Sequence, residues 1–571
     1  MKKLLAILLA VCVVLGCTAC SPSGEKVDAK RTQIYVSNIS SGYGDAWIYE
    51  MKSEFEEAYK DVSFEEGKTG VQVMISKVTD TYSTLYPSLW SQQKAWVYFN
   101  ENAQYDTMVK GGAVLDITDV VTGEFDINEA LGRTDVPDYV SDEDKAIINR
   151  FYDSHITGLD VDATEGVQYY AIPHYEGFYG ITLDADLIGD LGLFVDNEGV
   201  PCLTKDDLSD LETVGTGPDG VVGTYDDGLP ATYDEFFALC DALLDKETVP
   251  MIFSGKYQFY ITNVINALIA DCNGYANDQL GYTFNGTSTK YISRNGDGDI
   301  IYGSDGEPEL TTKAIAKANG YDIYNQAGYY YAFNFLQNLV KGKNGQYLYN
   351  TSFNNGVEHK PTQNTFLFSS YTSAQDVAMI AEGIWWVNEA ETTFTAMGKK
   401  YPGSSAQDRD LRFIPLPKAT AAQVGERTTL LESQNSYVTL RNGTPEDKIP
   451  LAKLFIQFCH QDEYIKAWTN LTGTPKALKY DMDDLSNLTP FARSVMEVKL
   501  SENTDISYQT SRCDLFNENP KKFTKYTMLD ALGYTYPSTA FNEKDWTGEH
   551  YFNSLYSSKA AAWKSTFDNW L

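Results

Sequence analysis

The chain has 571 residues, in which 45 lysines and arginines stand against 79 aspartates and glutamates, for a formal net charge of −34. Nucleic acid is held by clustered cations, so this excess of acid predicts a protein that does not bind nucleic acid. Hydrophobic residues make up 43% and charged residues 22% of the chain, which is ordinary for a globular protein and excludes disorder throughout. Only five histidines occur, scattered along the chain, which leaves little for a multi-histidine metal centre. We expect no metal site and no cofactor.

The first twenty residues have the layout of a secretory signal. Two lysines precede an apolar run of about a dozen residues, which is too short to span a bilayer. A small residue stands directly before both Cys17 and Cys20, and this resembles a bacterial lipobox, the site where lipid is attached to cysteine. Either cysteine fits as the anchor, and a plain cleaved signal is the alternative. Residues 21–32 are polar and predict a short tether.

These features predict an extracytoplasmic protein anchored by lipid to the bacterial cell membrane. So acidic a body is repelled by anionic headgroups, and the lipid must therefore supply the attachment. Beyond the signal the cysteines are odd in number and widely spaced, which predicts no essential disulfide; they are Cys202, Cys240, Cys272, Cys459 and Cys513.

Strand, loop and helix patterns then alternate along the chain. A β-rich run at 33–37 is followed by a loop and by an amphipathic helix over 45–59, with Trp47 on its apolar face. Thr232 begins a capping box, and an apolar stripe of helical spacing follows it. Further strands are predicted at 71–75, 411–415 and 436–440. This rhythm predicts an α/β fold with mostly parallel sheets flanked by helices, in which ligands lie at the carboxyl ends of the strands.

Two stretches rich in Gly, Asp and Asn, at 189–230 and 273–320, interrupt this rhythm. Asn295, Asp297 and Asp299 are spaced as in a calcium loop, but Ile300 takes the place of the required glycine and Gly306 that of the terminal glutamate. Hairpin turns built on Asp-Gly pairs explain both stretches more simply.

The sequence lacks several motifs of known chemistry. There is no GxxxxGK[ST], no GxSxG and no CxxC outside the signal. One GxGxxG occurs at 215–220, but no helical pattern follows it, so we attribute it to chance. With 79 acids some pair will have glycosidase spacing by accident, so a surface glycoside hydrolase remains an alternative.

Several ordered motifs resemble those of the extracellular solute-binding lipoproteins of ABC importers, in the group that includes the maltose-binding proteins. The resemblance extends over nearly the whole mature chain, and its most specific motif is the AMIAEGIW of residues 378–385. The other matching stretches are 42–47, 55–59, 105–119, 170–177, 183–187, 230–236 and 472–475.

The resemblance implies a two-lobed, type II periplasmic-binding-protein-like fold with a hinge between the lobes. It implies a first lobe of residues 33–174 plus 411–462 and a second lobe of residues 175–410 plus 463–571. It also implies a monomer without catalytic activity, whose lobes close on a ligand and whose closed form is recognised by a membrane permease.

A sugar ring presents an apolar C–H face that stacks on an aromatic plane, and a rim of hydroxyls that seeks carboxylates and amides. Trp385 and Trp386 are followed by Asn388 and Glu389, so this stretch offers both kinds of partner. Trp385 also matches the family position that stacks on sugar, whereas a helix here would turn one tryptophan into the core. The other candidate ligand-binding residues are Tyr43, Asp45, Tyr98, Asn100, Glu101, Tyr175, Glu176 and Tyr257.

The function predicted from the sequence is a substrate-binding lipoprotein of an ABC importer that captures a carbohydrate, an oligosaccharide, between its lobes. A glycan-binding lipoprotein without a transporter is a further alternative, beside the glycoside hydrolase. The acidic balance disfavours a strongly anionic sugar.

Overall fold

The structure is a computed structural model that describes residues 25–39, 42–78, 94–101, 105–163, 166–353, 356–372, 375–434, 436–508 and 539–567. The predicted signal peptide with Cys17 and Cys20, the start of the tether and Cys513 lie outside the described residues.

Seventeen strands and nineteen α-helices are found in the described residues. The strands are β1 (Thr32–Ile39), β2 (Val71–Val78), β3 (Val97–Asn100), β4 (Asp160–Ala163), β5 (Gly166–Tyr169), β6 (Ile172–Pro173), β7 (Tyr179–Asp184), β8 (Phe194–Val195), β9 (Pro201–Leu203), β10 (Val249–Ile252), β11 (Gly286–Ile292), β12 (Leu310–Ile315), β13 (Val377–Gly383), β14 (Leu411–Ile414), β15 (Thr428–Glu432), β16 (Tyr437–Leu440) and β17 (Thr504–Tyr508).

The helices are α1 (Ala46–Ala58), α2 (Tyr105–Lys110), α3 (Thr118–Thr122), α4 (Ile127–Leu131), α5 (Asp142–Lys145), α6 (Asp153–Leu159), α7 (Ala185–Leu191), α8 (Tyr233–Asp245), α9 (Phe259–Asn273), α10 (Tyr275–Asp278), α11 (Leu280–Thr283), α12 (Ala327–Lys341), α13 (His359–Ser369), α14 (Trp386–Glu389), α15 (Glu391–Lys400), α16 (Ile449–Phe458), α17 (Asp462–Thr472), α18 (Pro490–Leu500) and α19 (Gly548–Phe567). None of them is long and apolar enough to cross a membrane.

Two β-sheets form the centres of two lobes. The first sheet has five strands in the order β2-β1-β3-β16-β6, and the second has four in the order β10-β13-β7-β14. The predicted two-lobed α/β fold is confirmed, but the sheets are mixed rather than mostly parallel. β1 runs parallel to β2 and β3, and β10 parallel to β13, whereas β16 and β7 run antiparallel to their neighbours.

The direction of β7 and β16 follows from how the chain reaches them. Both strands come directly after a segment that passes from the other lobe: residues 174–178 precede β7, and the chain that follows Glu432 precedes β16. They therefore enter their sheets at the edge that faces the other lobe, where the parallel strands end. A third connection, residues 473–489, leads from α17 to α18.

The three connections lie side by side and form the hinge. Tyr175 pairs with Lys476, and Phe178 pairs with Glu432, each in an antiparallel bridge. The backbone N–H of His174 also donates to the carbonyl of Ser436 over 2.9 Å. Each connection is thus held by another in the same ladder of backbone hydrogen bonds.

The predicted lobe boundaries are wrong at two places. Leu411–Ile414, which we expected in the first lobe, is β14 and pairs with β7 in the second sheet. α17, expected in the second lobe, packs on α1 of the first lobe. A short apolar strand or an amphipathic helix carries no local signal for which of two cores it joins, because its partners are distant in sequence.

Predictions from local sequence patterns are confirmed for elements that bury only one face. The apolar face of α1 is buried, including Trp47, Met51 and Phe55. In the second Asp-rich stretch, the side-chain oxygen of Asn295 accepts the backbone N–H groups of Asp297 and Asp299, each over 2.9 Å, inside a hairpin. The hairpin interpretation is confirmed there, and the described residues contain no group of three or more acidic, histidine or cysteine side chains placed to hold a metal ion.

The N-terminus of α8 has the cap that the sequence predicts. Thr232 accepts the backbone N–H of Glu235 over 3.2 Å, and the Glu235 carboxylate accepts that of Ala231 over 2.7 Å. We expect Thr232→Ala to lower the free energy of unfolding by about 1 kcal/mol, because it leaves a helix N–H without its acceptor. Denaturant unfolding measures this loss.

Thr395→Ala is the matched control, because Thr395 is an exposed residue inside α15. Its substitution should change the free energy of unfolding by less than about 0.5 kcal/mol. An equal effect of the two substitutions would contradict a capping role for Thr232.

Candidate functional site

Aromatic rings from both lobes and from the hinge meet between the two sheets. We call Tyr43, Tyr175, Tyr179, Trp385 and Trp468 the aromatic cluster. The ring of Tyr43 lies 3.9 Å from that of Tyr175 and 5.9 Å from that of Trp385, measured between centroids. Tyr175 stacks on Trp468 at 5.7 Å with an interplanar angle of 6°. Tyr179 meets Trp385 edge to face at 5.0 Å.

The position of each ring follows from its place in the chain. Tyr43 lies on the loop that leaves β1, and Trp385 lies on the loop that leaves β13, so both lie at carboxyl ends of strands. Tyr175 belongs to the first hinge connection. Strand ends and the hinge therefore bring together residues that are hundreds of positions apart in sequence.

The two lobes are closed on each other at Gly42. A Cβ atom on Gly42 of the first lobe would lie 2.4 Å from Cδ1 of Trp385 and 3.0 Å from Cγ of Glu389, both in the second lobe. Gly383 leaves similar room, since its Cβ would lie 2.3 Å from the ring of Trp385. Glycine is thus required on both sides of the Trp385 ring.

Carboxylates from the first lobe and the hinge border the aromatic cluster. Glu101, directly after β3, is buried and accepts the hydroxyl of Tyr175 over 2.5 Å. Glu432, at the end of β15, accepts the backbone N–H of Gln434 over 2.6 Å, and the Gln434 amide donates to the hydroxyl of Tyr179 over 3.3 Å.

A second pair of carboxylates belongs to the second lobe. The side-chain amide of Gln363 donates to Glu382 over 3.3 Å and to Glu389 over 2.9 Å, and so bridges the two. Burial, and next the negative charge of Glu389, raise the pKa of Glu382 well above its usual value. His359 lies 3.9 Å from Glu389. Within the part of the chain that the structure describes, no lysine or arginine forms an ion pair with Glu382 or Glu389.

The hydroxyl of Tyr43 is buried among these carboxylates. It has no hydrogen-bond partner among the described residues, although only 5% of Tyr43 is exposed. Burial raises the pKa of Tyr43 well above its usual value, and the charges of Glu101, Glu432 and Glu389 raise it further. A buried hydroxyl without a partner costs free energy, and a molecule bound beside Tyr43 could relieve this cost with a hydrogen bond.

Glu176 faces the opposite side of the hinge from Tyr175, because successive side chains of an extended segment point to opposite sides. Its carboxylate accepts the hydroxyl of Tyr508 over 2.6 Å. Burial raises the pKa of Glu176 to about 7, and the positive charge of Lys499 opposes that rise. Glu176 is therefore a hinge residue and not a member of the aromatic cluster, contrary to its prediction as a ligand residue.

Three further predicted ligand residues lie in the cores of the lobes. Trp386 is fully buried in the second lobe, where its indole N–H donates to Thr182 over 3.0 Å. Tyr98 and Asn100 belong to β3 rather than to a loop, and both are fully buried within the first lobe. Local patterns could not separate these residues from Trp385 and Glu101, because one step along the chain turns a side chain from the cleft to the core.

Asp45 and Tyr257 lie at the margins of the site. Asp45 forms an ion pair with Lys77 and is thus engaged within the first lobe. Tyr257 packs against His359, with 5.5 Å between ring centroids, and His359 in turn faces Glu389. Tyr257 therefore lies one contact away from the carboxylate pair.

Sequence reasoning missed Trp468, Tyr179, Glu382 and Gln434. The sequence around Trp468 has only a helix pattern and that around Tyr179 only a strand pattern. Both patterns indicate ordinary core positions. Glu382 lies within the AMIAEGIW motif but on a fully buried strand, where a carboxylate is unexpected. Such a buried acid in a strand is the one local signal that points to it.

The arrangement is suited to a ligand with both flat apolar faces and polar rims. Aromatic planes contact the apolar faces of such a ligand, and carboxylates and amides accept or donate hydrogen bonds at its polar rims. Contacts from both lobes mean that a bound ligand stabilises the closed arrangement over an open one.

We expect Glu176→Gln to remove part of the pH dependence of stability. A carboxyl whose pKa is about 7 in the folded protein and about 4.3 in the unfolded chain binds more protons when folded between these values. Glu176 therefore contributes stability that is lost as pH rises from 5 to 8, so the free energy of unfolding of the wild type minus that of the variant should fall by about 2 kcal/mol over this range.

Denaturant unfolding at pH 5 and pH 8 measures the difference, with Glu50→Gln on the exposed face of α1 as the control. Parallel stability curves for wild type and Glu176→Gln would show that Glu176 titrates normally.

We expect Gly42→Ala to separate the lobes without unfolding them. The added methyl group overlaps Trp385 in the closed arrangement but has space once the lobes part. Small-angle scattering should give a larger radius of gyration for this variant, while its thermal midpoint stays within about 2 °C of the wild type. Gly296→Ala is the control, because its Cβ meets no atom within 4 Å. Equal radii for Gly42→Ala and wild type would contradict this account.

Solved structures of sugar-binding proteins share this fold. A chitin oligosaccharide binding protein superimposes with a TM-score of 0.51 at 13% identity, over 91% of this chain and 95% of that one. A cyclic α-maltosyl-1,6-maltose binding protein from Arthrobacter globiformis gives 0.50 at 11% identity, over 94% and 100%. A protein of xylan utilisation from Caldanaerobius polysaccharolyticus gives 0.51 at 10% identity, over 92% and 99%.

No protein-family model matches the sequence, and no curated protein matches it significantly. The likeness is therefore one of fold over nearly the whole chain. The two-lobed α/β fold expected from the sequence motifs is thus shared with these solved structures.

Proposed function

We propose that the protein is the substrate-binding lipoprotein of an ABC importer, which captures an oligosaccharide between its lobes and delivers it to a membrane permease. The observation that carries this proposal is the meeting of Tyr43, Tyr175 and Trp385, from the first lobe, the hinge and the second lobe, beside carboxylates from both lobes. The fold shared with several sugar-binding proteins supports the same function.

Capture works through closure of the lobes. In an open form, a sugar ring stacks on an aromatic plane of one lobe while water fills the other half of the cleft. Rotation about the three hinge connections brings the second half onto the ligand, and contacts to both halves then favour the closed form. The permease distinguishes the loaded protein by this change of shape.

The N-terminal segment retains the protein at the cell surface. A lipid on Cys17 or Cys20 holds the protein at the membrane, and the polar tether of residues 21–32 gives it freedom to meet the permease. The protein acts as a monomer and leaves its ligand chemically unchanged.

The direct test is thermal unfolding of the protein without its signal peptide against a panel of mono- and oligosaccharides. A ligand that binds only the folded state adds about 2.7 kcal/mol of stability at a hundredfold excess over Kd, which raises the midpoint of a chain of this length by about 2 °C. We expect one sugar series to raise the midpoint and to be recovered intact. Recovery of shortened sugar would instead indicate a glycoside hydrolase.

We expect Trp385→Ala to abolish the sugar-induced rise of the midpoint, because it removes the second-lobe stacking plane. Trp546→Ala is the matched control, since Trp546 packs on His550 and Tyr551 near the C-terminal helix. Its response to sugar should equal that of the wild type. An unchanged response in Trp385→Ala would contradict the placement of the ligand beside this ring.

A further inference from the structure

The charge of the cleft restricts which sugar fits it. Glu382 and Glu389 are joined through the uncharged amide of Gln363, and the raised pKa of Glu382 favours its protonated form, so the negative charge of this pair lies on Glu389, 3.9 Å from His359. Glu101 and Glu432 approach the same space from the first lobe and the hinge. Glu389 lies beside Gly42, the neighbour of Tyr43, and Glu101 is hydrogen-bonded to Tyr175, whose ring contacts that of Tyr43, so acidic groups from both lobes lie near Tyr43.

Tyr43 gives an independent indication of what that volume receives. Its hydroxyl is buried, has no hydrogen-bond partner among the described residues, and stands among Glu101, Glu389 and Glu432. The two aromatic rings nearest to it, Tyr175 and Trp385, come from the hinge and the second lobe. The hydroxyl without a partner therefore lies near acidic groups of both lobes.

A cation satisfies this environment better than a neutral hydroxyl does. A sugar hydroxyl that donates to a carboxylate leaves the mutual repulsion of the acids unchanged, whereas an ammonium group reduces it. The faces of tyrosine and tryptophan rings attract cations as well. An ammonium group also has three protons to donate, and both carboxylate and tyrosine oxygens accept them.

We propose that the ligand is a cationic carbohydrate, an oligosaccharide with at least one free ammonium group, which lies between the Tyr43 hydroxyl and Glu389. This inference rests on the proposed function, because it assigns the substrate class of the same cleft. Acetylation of the amine removes its charge and adds bulk, and a uronate places a negative charge among the acids. Both modifications should weaken binding.

The test compares sugars that differ in one substituent. Cello-oligosaccharides, N-acetylated chito-oligosaccharides and fully deacetylated chito-oligosaccharides of equal length carry hydroxyl, acetamide and ammonium at the same carbon. α-linked and galactose-based pairs of neutral and amino sugars extend the panel to other backbones. Calorimetry at a pH below the pKa of the amine should show at least about tenfold tighter binding of an amino sugar than of its neutral counterpart.

Glu389→Gln tests the residue assigned to the ammonium group. It removes the charge and keeps an oxygen for the amide of Gln363. We expect it to weaken binding of the amino sugar about tenfold and of the neutral counterpart less than about threefold. Glu391→Gln, two residues further along on the exposed start of α15, is the control and should change neither. The thermal midpoints without ligand check that both variants are folded.

The outcomes separate the two proposals. If a neutral or acetylated sugar binds as tightly as its amino counterpart, the cationic ligand is excluded and the proposed function stands. Equal loss of both sugars in Glu389→Gln would likewise overturn the role given to its charge. If no sugar binds and a non-sugar amine such as spermidine does, the carbohydrate function itself fails.

Discussion

The structure depends on Tyr175, where the hinge, both lobes and the candidate site meet. Its backbone bridges to Lys476 of the third connection, and its ring lies between Tyr43 and Trp468. Its hydroxyl donates to Glu101 at the end of a first-lobe strand. A movement of the hinge therefore displaces the aromatic plane against which the second lobe closes, and the site cannot rearrange independently of the hinge.

The groups behind Tyr175 keep that part of the hinge rigid. Lys476 is buried, lies 2.8 Å from Nδ1 of His174, and has its ammonium nitrogen 4.8 Å from the centre of the Trp468 ring. Burial lowers the pKa of Lys476 to about 7. A buried amine with close aromatic contacts has few alternative positions, so it holds Trp468 against Tyr175. The rotation of whole lobes that closes the cleft is then taken up by the rest of the three connections rather than by this packed part of the hinge.

Local signals in the sequence were sufficient for the fold class and for half of the site. One-sided burial gives α1 its apolar stripe, the cap of α8 is visible in four consecutive residues, and Tyr43, Tyr175, Glu101 and Trp385 follow strands or enter the hinge. The rest depends on pairings between distant residues. Nothing near Leu411–Ile414 shows that its partner is β7, and nothing near Trp468 shows that it faces Tyr175. Trp385 and Trp386 are neighbours in sequence. Only the direction in which the chain turns after β13 decides which of them lies in the cleft and which in the core.

The negative charge of the whole chain and the negative charge of the cleft both attract cations, the first around the protein and the second inside the cleft. A formal charge of −34 attracts cations toward the protein and repels anions over about a Debye length. Inside the cleft the same sign is carried by Glu101, Glu389 and Glu432 around one tyrosine hydroxyl, where water screens it less. For the cationic sugar that we propose, the outer field would raise the rate of arrival and the inner field would retain the bound sugar. The outer field also repels the body of the protein from anionic lipid headgroups, so attachment to the membrane would fall to the lipid that we propose for the tether.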